Sequence, residues 1–306
     1  MNKTNLIFLV ILTNILILSS CTLVTPKEQG ALDVHFCPLD NCEQVMINYL
    51  LNASEIKCAF YDLNLENLIN VLKEKKAEVL VFEDNFDNYG LSVTSKGLMH
   101  NKFCVLDGRA VITGSMNPTF NGAYKNNNNL VYIESKTFAK NYLNEFKEIK
   151  DKKQRGSVKK ILFNSYEVEN CFCPEDNCQK EVLKELSDAK KSIYFMTFSF
   201  TDKDISNLLI KKDKDLVVEG LMESKRINQK YNVFKLLNSS KMKLYLDKNP
   251  YTMHHKVFII DKKTVILGSY NPTASANTKN DENILIVHNE NFAREFLKEF
   301  NLETQT

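Results

Sequence analysis

The sequence predicts an α/β protein made of two similar halves, each with a parallel or mixed sheet covered on both faces. Two observations carry this prediction: a long internal repeat and, inside each copy, strand-length apolar runs that alternate with helical segments. With 43% hydrophobic and 25% charged residues, the composition is that of a globular protein and excludes a disordered, collagen-like or polytopic membrane protein. The 306 residues suffice for one large domain or two small ones.

Two pairs of matching segments define the repeat. Residues 99–119 return as residues 253–273 at a constant offset of 154, with 11 of the 21 positions identical. Residues 36–42 return as residues 172–178 at an offset of 136, with one difference. The two offsets differ by 18, so the second half carries 18 additional residues between its repeated segments. Residues 148–160 are charged and lack apolar periodicity, which places the junction of the halves there.

Each half is predicted to run strand, helix, strand, helix, strand, hairpin and final helix. The first half takes residues 31–150, a linker follows at 151–160, and the second half takes 161–306. The predicted strands and hairpin strands are Asp33–Phe36, Lys57–Tyr61, Glu78–Phe82, Lys102–Leu106, Ala110–Thr113, Ser192–Phe200, Leu216–Leu221, Val257–Ile260 and Thr264–Leu267. The predicted helices are Val45–Leu51, with Asp40 or Asn41 as N-cap, Leu65–Lys75 and Ile205–Ile210. Continuous apolar composition predicts that the hairpin strands lie in the middle of each sheet.

Polar side chains gather around each predicted hairpin. On a strand, alternate side chains share a face, so the histidine and the lysine of each His-x-Lys sequence point the same way. A Gly-Ser-x-Asn turn follows the second hairpin strand in both halves. Each half thus offers an imidazole, an ammonium, a hydroxyl and a carboxamide, namely His100, Lys102, Ser115 and Asn117, and His254, Lys256, Ser269 and Asn271. Because two copies stand in register, the constellation indicates a functional site.

These residues carry a resemblance to a known family. His-x-Lys-x4-Asp, ending at Asp107 and Asp261 and followed by Gly-Ser-x-Asn, resembles the paired HKD motifs of the phospholipase D superfamily. The resemblance implies two tandem α/β/α sandwich halves with mixed sheets, related by a pseudo-twofold axis, with one active site at their interface. Asp107 and Asp261 belong to the motifs, but they close strands and are expected to hold the hairpins by hydrogen bonds.

The chemistry that the resemblance implies is cleavage of a phosphodiester by two histidines. Imidazoles titrate near neutrality, so two at one site can divide into a neutral nucleophile and a protonated acid. The expected nucleophile is His100, which forms a phosphohistidine, and the expected acid is His254. The lysines and asparagines of both motifs would surround the non-bridging oxygens. Since the sequence shows no carboxylate or histidine cluster at a metal-ligand spacing, neither a metal nor a cofactor is expected.

One departure from the family pattern separates the halves. Relatives often continue to an Asn-x-Glu-Asn element whose glutamate orients a histidine. The second half keeps this element, with Glu282 at the glutamate position, whereas the first half has Asn128 there. The two histidines are therefore expected to have unequal surroundings and unequal pKa values. The alternative is that Asn128 lies in a solvent-facing loop.

The substrate class is predicted from size and charge. Each half is the bare catalytic core, which is typical of the small endonucleases of the superfamily, whereas phospholipid-processing relatives usually carry large extra loops. The formal net charge is +2, so a polyanion must be bound by a local patch. Candidates are Lys125 and Lys279, and further residues near the motifs are Lys96, His255, Tyr270, Phe120 and Tyr124.

Three function classes stay open. We expect an endonuclease of low sequence specificity that acts on DNA or RNA as a monomer, because both motifs are fused in one chain. A phospholipase D-type lipid phosphodiesterase or transphosphatidylase is the alternative. A degenerate binding module is the third, although both His-Lys pairs are intact.

The first twenty residues resemble a targeting signal. Lys3 precedes the apolar run Leu6–Leu18, which is too short to span a bilayer comfortably. The sequence Leu-Ser-Ser-Cys that ends at Cys21 is similar to the lipobox of prokaryotic lipoproteins, in which the cysteine is acylated. Residues 1–20 are then a signal peptide, residues 21–30 a tether, and the protein an exported lipoprotein anchored to the cell membrane. An uncleaved anchor and an ordinary secretory signal are the alternatives.

The other cysteines are expected to concern stability. In an exported protein Cys37 with Cys42, and Cys173 with Cys178, could each close a small loop. A metal site formed by these four thiolates is the alternative. Cys104 is expected to be a buried thiol, and Cys58 and Cys171 have no predicted partner.

Overall fold

A computed structural model describes residues 25–305, so the predicted signal peptide and Cys21 lie outside the described residues. The strands are β1 Lys27–Glu28, β2 Leu32–Cys37, β3 Ile56–Phe60, β4 Glu78–Phe82, β5 Leu91–Val93, β6 Lys102–Leu106, β7 Ala110–Gly114, β8 Asn128–Ile133, β9 Lys160–Phe163, β10 Tyr166–Cys173, β11 Ser192–Thr197, β12 Val217–Met222, β13 Lys243–Leu246, β14 Lys256–Ile260, β15 Thr264–Gly268 and β16 Glu282–His288. The helices are α1 Cys42–Leu51, α2 Glu66–Glu74, α3 Phe120–Tyr124, α4 Lys136–Asp151, α5 Cys178–Asp188, α6 Lys203–Lys212, α7 Phe234–Leu237, α8 Ala274–Thr278 and α9 Glu290–Gln305.

The strands form two mixed sheets, one for each half, which confirms the predicted α/β class. The first sheet has the order β2-β8-β7-β6-β3-β4-β5, and the second has the order β1-β9-β10-β16-β15-β14-β11-β12-β13. Strand β3 is parallel to β4 and antiparallel to β6, and β11 repeats this with β12 and β14. Both hairpins occupy the middle of their sheets, as their continuous apolar composition predicts.

Strands β8 and β16 are missing from the predicted order of elements, which passes from the hairpin directly to the last helix. Each lies beside the second hairpin strand and pairs on its other edge with β2 or β10. Their apolar runs, Leu130–Ile133 and Ile284–Val287, are the sequence signal for them. The consequence matters for the site, because Asn128 and Glu282 begin these strands and are fully buried. Asn128 therefore does not lie in a solvent-facing loop.

The last helix of each half packs between the two sheets. Aromatic residues of α4 and α9 belong to one central core, which includes Tyr142, Phe146, Phe296 and Phe300. Helices α1 and α2 cover the outer face of the first sheet, and α5, α6 and α7 cover the outer face of the second. The two halves thus share their central layer, so the hairpins of both halves face one another across it.

The N-terminal segment differs from the predicted tether. Lys27–Glu28 forms β1, which pairs with β9 of the second half. The Glu28 carboxylate accepts hydrogen bonds from the Thr137 backbone N–H at 3.0 Å and from its hydroxyl at 2.7 Å, at the start of α4. Residues 27–28 therefore belong to the folded unit. Helix α4 ends at Asp151 and β9 begins at Lys160, so the residues between them connect the halves.

Most of the additional length of the second half lies in one connection. Residues 223–242 join β12 to β13, where residues 83–90 join β4 to β5 in the first half. This longer connection contains α7 and a short 3-10 turn, Ser224–Arg226. Within residues 25–305, the chain has no helix with the length and apolar character needed to cross a bilayer.

The cysteine pairings agree with the sequence prediction at two sites and correct it at a third. Cys37 is bonded to Cys42 and Cys173 to Cys178, and each disulfide joins the end of a strand to the start of a helix. The four sulfurs therefore do not form a thiolate metal site. Cys104 is wrongly predicted as a free thiol, because it is bonded to Cys58 on the neighbouring strand. Cys171 is a buried thiol.

The N-cap of α1 also differs in detail from the prediction. Asn41 occupies the cap position with φ +47°, in the left-handed region, and its side chain does not cap the helix. Asp40 instead accepts a hydrogen bond from the Phe36 backbone N–H at 2.7 Å, which holds the turn between β2 and α1.

Candidate functional site

The two His-x-Lys segments face each other across the junction of the halves. Met99 forms a β-bridge with Asp281, and Met253 forms the equivalent bridge with Asn127. The backbone N–H of His100 donates to the Asp281 carbonyl at 2.9 Å, and that of His254 donates to the Asn127 carbonyl at 2.8 Å. Each histidine therefore lies against the segment that opens β16 or β8 of the opposite half.

The histidine side chains repeat this exchange between halves. His100 Nδ1 lies 2.7 Å from Glu282 Oε2, and His254 Nδ1 lies 2.8 Å from Asn128 Oδ1 and 3.2 Å from the Ser115 carbonyl. Because carboxylate and carbonyl oxygens only accept, Nδ1 carries the proton on both rings. Nε2 is then the ring atom left to react, as a base on a neutral ring or as an acid on a protonated one. Each half completes the histidine of the other.

The serines of the Gly-Ser-x-Asn turns hold the two orienting side chains. Ser269 Oγ donates to Glu282 Oε2 at 2.7 Å, and Ser115 Oγ donates to Asn128 Oδ1 at 3.0 Å. Each hydroxyl also accepts the N–H of the next residue on β16 or β8, at 3.0 Å. Both serines are fully buried. The prediction that Ser115 and Ser269 contact substrate is therefore replaced by a positioning role.

Two buried ammonium groups accompany the histidines. Lys256 Nζ donates to the His254 carbonyl at 2.7 Å, and Lys102 Nζ donates in the same way to the His100 carbonyl. Burial lowers the pKa of Lys102 to about 7, although the Glu282 and Asp62 carboxylates oppose this. Burial and the Lys102 charge lower the pKa of Lys256 well below its usual value. An anionic ligand beside the two lysines would raise both pKa values, so the site favours such a ligand.

Burial also dominates the titration of the histidines. It lowers the pKa of His100 to about 4, helped by Lys102 and Lys256 and opposed by Glu282. The pKa of His254 lies well below its usual value because of burial and the charges of Lys256 and Lys102. Burial of Glu282 works against ionisation, but His100 and Lys102 hold its pKa below the ordinary value. Each lysine acts on the histidine of the other half, which shows that the four groups share one site.

The asparagine and the aspartate of each motif have equivalent surroundings in the two halves. Asn117 and Asn271 are half-buried, and neither side-chain oxygen has a hydrogen-bond partner among residues 25–305. The Asp107 carboxylate accepts the backbone N–H groups of Ser54 and Glu55 at 2.8 and 2.7 Å. Asp261 likewise accepts backbone N–H groups just before β11. Both aspartates thus anchor the hairpin to the strand beside it, as expected.

Two aromatic rings beside the histidines are absent from the sequence prediction. Tyr61 and Phe198 occupy equivalent positions after β3 and β11, with ring centres 4.9 Å from His100 and 4.6 Å from His254 respectively. The Arg226 guanidinium, from the longer connection, lies 4.0 Å from the centre of the Phe198 ring. Burial lowers the pKa of Arg226. Alignment of the halves at these strand ends is the signal that could have found both rings.

The other predicted binding residues have different exposures. Lys125 is half-buried, with Nζ 5.1 Å from the centre of the Tyr251 ring and 5.9 Å from that of Phe120. Lys279 and Lys96 are exposed. His255 and Tyr270 are buried away from solvent, and Tyr270 donates to Asn277 at 2.5 Å. The predicted substrate contact of these last two residues is therefore not favoured.

Comparison with known proteins agrees with this geometry. Residues 40–150 and 182–303 match the family model described as cardiolipin synthase, PLD-like domain. The chain belongs to the phospholipase D superfamily. A phospholipase D from Rickettsia conorii is 34% identical over 132 residues, which are 43% of this chain and 66% of that protein. The human mitochondrial cardiolipin hydrolase is 28% identical over 136 residues, which are 43% of this chain and 54% of that protein. The chain thus spans less than two thirds of these two superfamily relatives.

A solved structure shows the same fold over most of the chain. The phosphatidylserine synthase of Haemophilus influenzae aligns with a TM-score of 0.65 over 88% of this chain and 85% of its own, at 13% identity. At this identity the alignment shows the superfamily fold alone. It covers both halves, in agreement with the two sheets described above.

Proposed function

We propose that this phospholipase D superfamily member is a phosphodiesterase that uses His100 and His254 on one phosphate and needs no metal. The observation that carries the proposal is the exchanged pair of Nδ1 contacts, which leaves Nε2 of both rings available to react. The charge of His100 also acts on the pKa of His254, as expected of two rings in one site. Two ammonium groups, from the first residues of β6 and β14, and the two carboxamides of the Gly-Ser-x-Asn turns accompany them. A tetrahedral phosphate is the ligand that such a symmetric cationic site fits best.

The reaction proceeds in two displacements. His100 Nε2 attacks phosphorus, a P–N bond forms, and the bond from phosphorus to the leaving oxygen breaks while His254 Nε2–H gives its proton to that oxygen. In the second step His254 takes a proton from water, the water oxygen attacks phosphorus, and the P–N bond breaks. The products are an alcohol and a phosphomonoester, and both histidines return to their starting states.

The charge at Glu282 supports His100 as the nucleophile. In the free protein the low pKa of His100 leaves its ring neutral, with the Nε2 electron pair available. As the P–N bond forms, the ring gains positive charge, and the Glu282 carboxylate at 2.7 Å stabilises it. His254 faces a neutral carboxamide, so nothing comparable stabilises a phosphorylated ring there.

Substrate binding supports the acid role of His254. The same two lysines that lower its pKa would pair with the non-bridging oxygens of the phosphate, with Asn117 and Asn271 beside them. The bound negative charge then raises the pKa of His254 and favours the protonated ring that the first step needs. Protonation of the acid is thereby coupled to substrate binding.

For the substrate we propose nucleic acid, cleaved with low sequence preference. An aromatic and basic surface supports this: Phe120, Tyr124 and Tyr251 are exposed, and the Lys125 ammonium lies 5.9 Å from the ring centre of Phe120 and 5.1 Å from that of Tyr251. Exposed rings that alternate with cations suit stacked bases and a phosphate backbone. Tyr251 is three residues from His254, so a bound strand would continue into the site.

A lipid phosphodiester is the second candidate, because relatives are named phospholipase D and cardiolipin hydrolase. Export with acylation at Cys21 is part of our proposal, and it would place the protein at a membrane surface and suit this substrate as well. Exposed Leu39 and Leu302 lie around the same cavity as Tyr251, where a lipid chain could contact them.

The decisive experiment presents both substrate classes to one preparation. Purified full chain in EDTA is incubated with plasmid, single-stranded DNA, RNA and phospholipid vesicles, beside a His100→Ala/His254→Ala control. We expect cleavage of nucleic acid by the wild type and none by the control. Release of lipid head group without nucleic-acid cleavage would favour the lipid substrate. The absence of product from every substrate would contradict the phosphodiesterase.

A matched pair of variants then tests the proposed surface. Tyr251→Ala is expected to raise KM for single-stranded DNA about tenfold and to leave cleavage of a small aryl phosphodiester unchanged, since a base stacked on an aromatic ring contributes about 1–3 kcal/mol. Tyr231→Ala, an exposed tyrosine remote in sequence from the motifs, is the control. Equal KM values for both variants and the wild type would mean that this surface does not bind the substrate.

A further inference from the structure

Behind His254 the second half contains a cluster of three side chains that the proposed reaction does not use. His255, Glu299 and Glu303 each present a potential ligand atom, and these atoms all lie within 4.8 Å of one another. Glu299 and Glu303 are four residues apart on α9, so both face the same side of that helix. His255 comes from the segment before β14, and adjacent side chains of an extended chain point in opposite directions. It therefore projects away from the proposed site.

The imidazole in this cluster has an unused nitrogen. His255 is fully buried, and its Nε2 has no hydrogen-bond partner among residues 25–305. That nitrogen is directed at the carboxylates and lies 3.5 Å from Glu299 Oε1. A buried polar atom without a partner is destabilising, and a ligand at this point would remove that cost.

The equivalent place in the first half is a completed hydrogen-bond network. Asn101 stands where the second half has His255, and it donates to Glu145 at 3.0 Å and accepts from Asn283 at 2.7 Å. Position 149, equivalent to Glu303, is isoleucine. The second half has therefore replaced an amide by an imidazole and an aliphatic side chain by a second carboxylate. Both changes add a metal-ligating group to the same spot.

The residue beside His255 can adapt to a bound cation. Asn129 Nδ2 lies 3.0 Å from His255 Nδ1, while Asn129 Oδ1 has no partner among residues 25–305. At the equivalent site beside Asn101, the Asn283 side-chain oxygen accepts from Thr113 and Tyr142. Beside His255 those two donors are replaced by Leu267 and Phe296. Rotating the Asn129 amide by 180° therefore loses no acceptor contact. Oδ1 can then accept a hydrogen bond from Nδ1–H, and Nε2 keeps its electron pair.

We propose that His255, Glu299 and Glu303 bind a divalent transition-metal ion of the zinc type. One imidazole and two carboxylates are ligands that zinc accepts at about 2.0–2.2 Å, which corresponds to ligand separations of about 3.3 Å in a tetrahedron. The 3.5 Å between His255 Nε2 and Glu299 Oε1 is already close to that value. A water from the adjoining cavity of about 530 Å³, which Glu299 and Glu303 line, would complete the tetrahedron.

The proposed metal has no chemical role in the proposed reaction. Asn127 connects the two, because its side chain donates to Glu303 and its carbonyl accepts the His254 N–H at 2.8 Å. The metal would thus fix α9 against the segment that carries His254. Its expected effect is on stability, since an ion that binds only the folded chain stabilises it by mass action.

Zinc content tests the proposal independently of activity. Full chain without a tag is freed of metal with EDTA, exposed to excess ZnCl₂, desalted and analysed by inductively coupled plasma mass spectrometry. We expect about one zinc per chain and a Tm that rises with zinc concentration. Glu303→Gln should weaken zinc binding at least about tenfold, whereas the control Glu167→Gln, from a second His/Glu group with Glu169 and His288, should not.

The outcomes separate this site from other zinc-binding positions on the chain. Cobalt in place of zinc should give the visible absorption of a tetrahedral ion in the wild type, and this absorption should be lost in Glu303→Gln, which keeps the buried Glu299 and His255 intact. A wild type that retains less than about 0.1 zinc per chain would overturn the proposal. Zinc binding that Glu303→Gln leaves unchanged, or that Glu167→Gln weakens equally, would also overturn it.

Discussion

The two halves orient their histidines with the same geometry and with different charges. Glu282 in the second half and Asn128 in the first occupy equivalent positions, and their oxygens lie 2.7 and 2.8 Å from the Nδ1 atoms of His100 and His254. The position, the supporting serine and the direction of the hydrogen bond are all retained. Only the ionisable group has changed. The comparison teaches that a duplicated site can separate two identical side chains into different roles through one charge.

The largest effect should come from removing either reacting ring. His100→Ala and His254→Ala should each lower kcat on a natural diester at least about 1000-fold, because one supplies the nucleophile and the other the proton. The comparison becomes sharper with an aryl diester, whose leaving group needs no proton. His254→Ala should recover most of the first step on that substrate, measured as a burst of aryl alcohol, and His100→Ala should show no burst. Bursts of equal size would remove the distinction between the two rings.

Substitution of the two orienting residues should lower kcat to very different extents. Glu282→Gln should lower kcat roughly 100-fold, since the charge that stabilises a phosphorylated His100 is lost. Asn128→Ala should cost far less, because His254 Nδ1 keeps the Ser115 carbonyl at 3.2 Å. Steady-state kinetics of the two variants on one substrate measure the difference. Equal losses would refute the distinct role of the carboxylate.

A charge introduced on the first half should change the pH profile. Asn128→Asp places a carboxylate beside His254 Nδ1, which stabilises the imidazolium and raises the pKa of His254. The basic limb of kcat, where the acid loses its proton, should move to higher pH. Glu282→Gln should lower the pKa of His100 further, and the acidic limb should move to lower pH. Movement of both limbs in the same direction would contradict the assignment of base and acid.

Removing a buried cation should lower activity and raise stability. Lys102→Met should lower kcat/KM about 100-fold, because a group that faces the phosphate is lost. The same change should raise the free energy of unfolding, since the pKa of Lys102 falls from 10.5 when unfolded to about 7 when folded. Keeping Lys102 protonated in its buried site destabilises the folded wild type. This destabilisation is complete below pH 7 and vanishes above about pH 10.5, so the gain in Tm of the variant should be larger at pH 6 than at pH 9. Lys203→Met, at an exposed position, is the control. An equal gain in Tm in both variants would show that the burial of Lys102 does not destabilise the protein.

The disulfides should have the smallest effect on the reaction. Cys58 and Cys104 join neighbouring strands β3 and β6, and both belong to the core that α1 and α2 cover on the outer face of the first sheet. Cys58→Ala/Cys104→Ala should lower the free energy of unfolding by roughly 2–4 kcal/mol and leave kcat within about twofold. Thermal unfolding and steady-state kinetics measure the two effects, with Cys171→Ala as the control for a buried thiol. A large loss of kcat at unchanged Tm would mean that this pair belongs to the site.

Much of the fold could be predicted from local pattern and repetition. The apolar runs located both hairpins, and the repeat placed the two motifs in equivalent positions. Strands β8 and β16 were not predicted because their first residues are asparagine or glutamate, which are typical of loops. Asn128 and Glu282 begin these strands because both side chains are held by buried hydrogen bonds, among them the contact with a histidine of the other half.

The parts of the site that depend on contacts between the halves could not be predicted. The sequence identifies Glu282 as an orienting residue, but not that its histidine is His100, 182 residues away. It also pairs Cys37 with Cys42 through symmetry, whereas Cys58 and Cys104 have no equivalent pair and require the strand register. The serines look like substrate ligands because their burial is invisible in a linear motif. Tyr61 and Phe198 differ in residue type, so identity between the halves does not reveal them, and only alignment of the strand ends does.

Mapping of the covalent intermediate shows which histidine attacks phosphorus. Wild-type protein and the Glu282→Gln variant are mixed with an activated aryl phosphodiester, quenched in alkali to preserve phosphohistidine, digested and analysed by mass spectrometry. We expect the phosphoryl adduct on the peptide that contains His100, at reduced occupancy in Glu282→Gln. An adduct on His254, or turnover without any adduct under conditions in which the first step is faster than the second, would contradict this expectation.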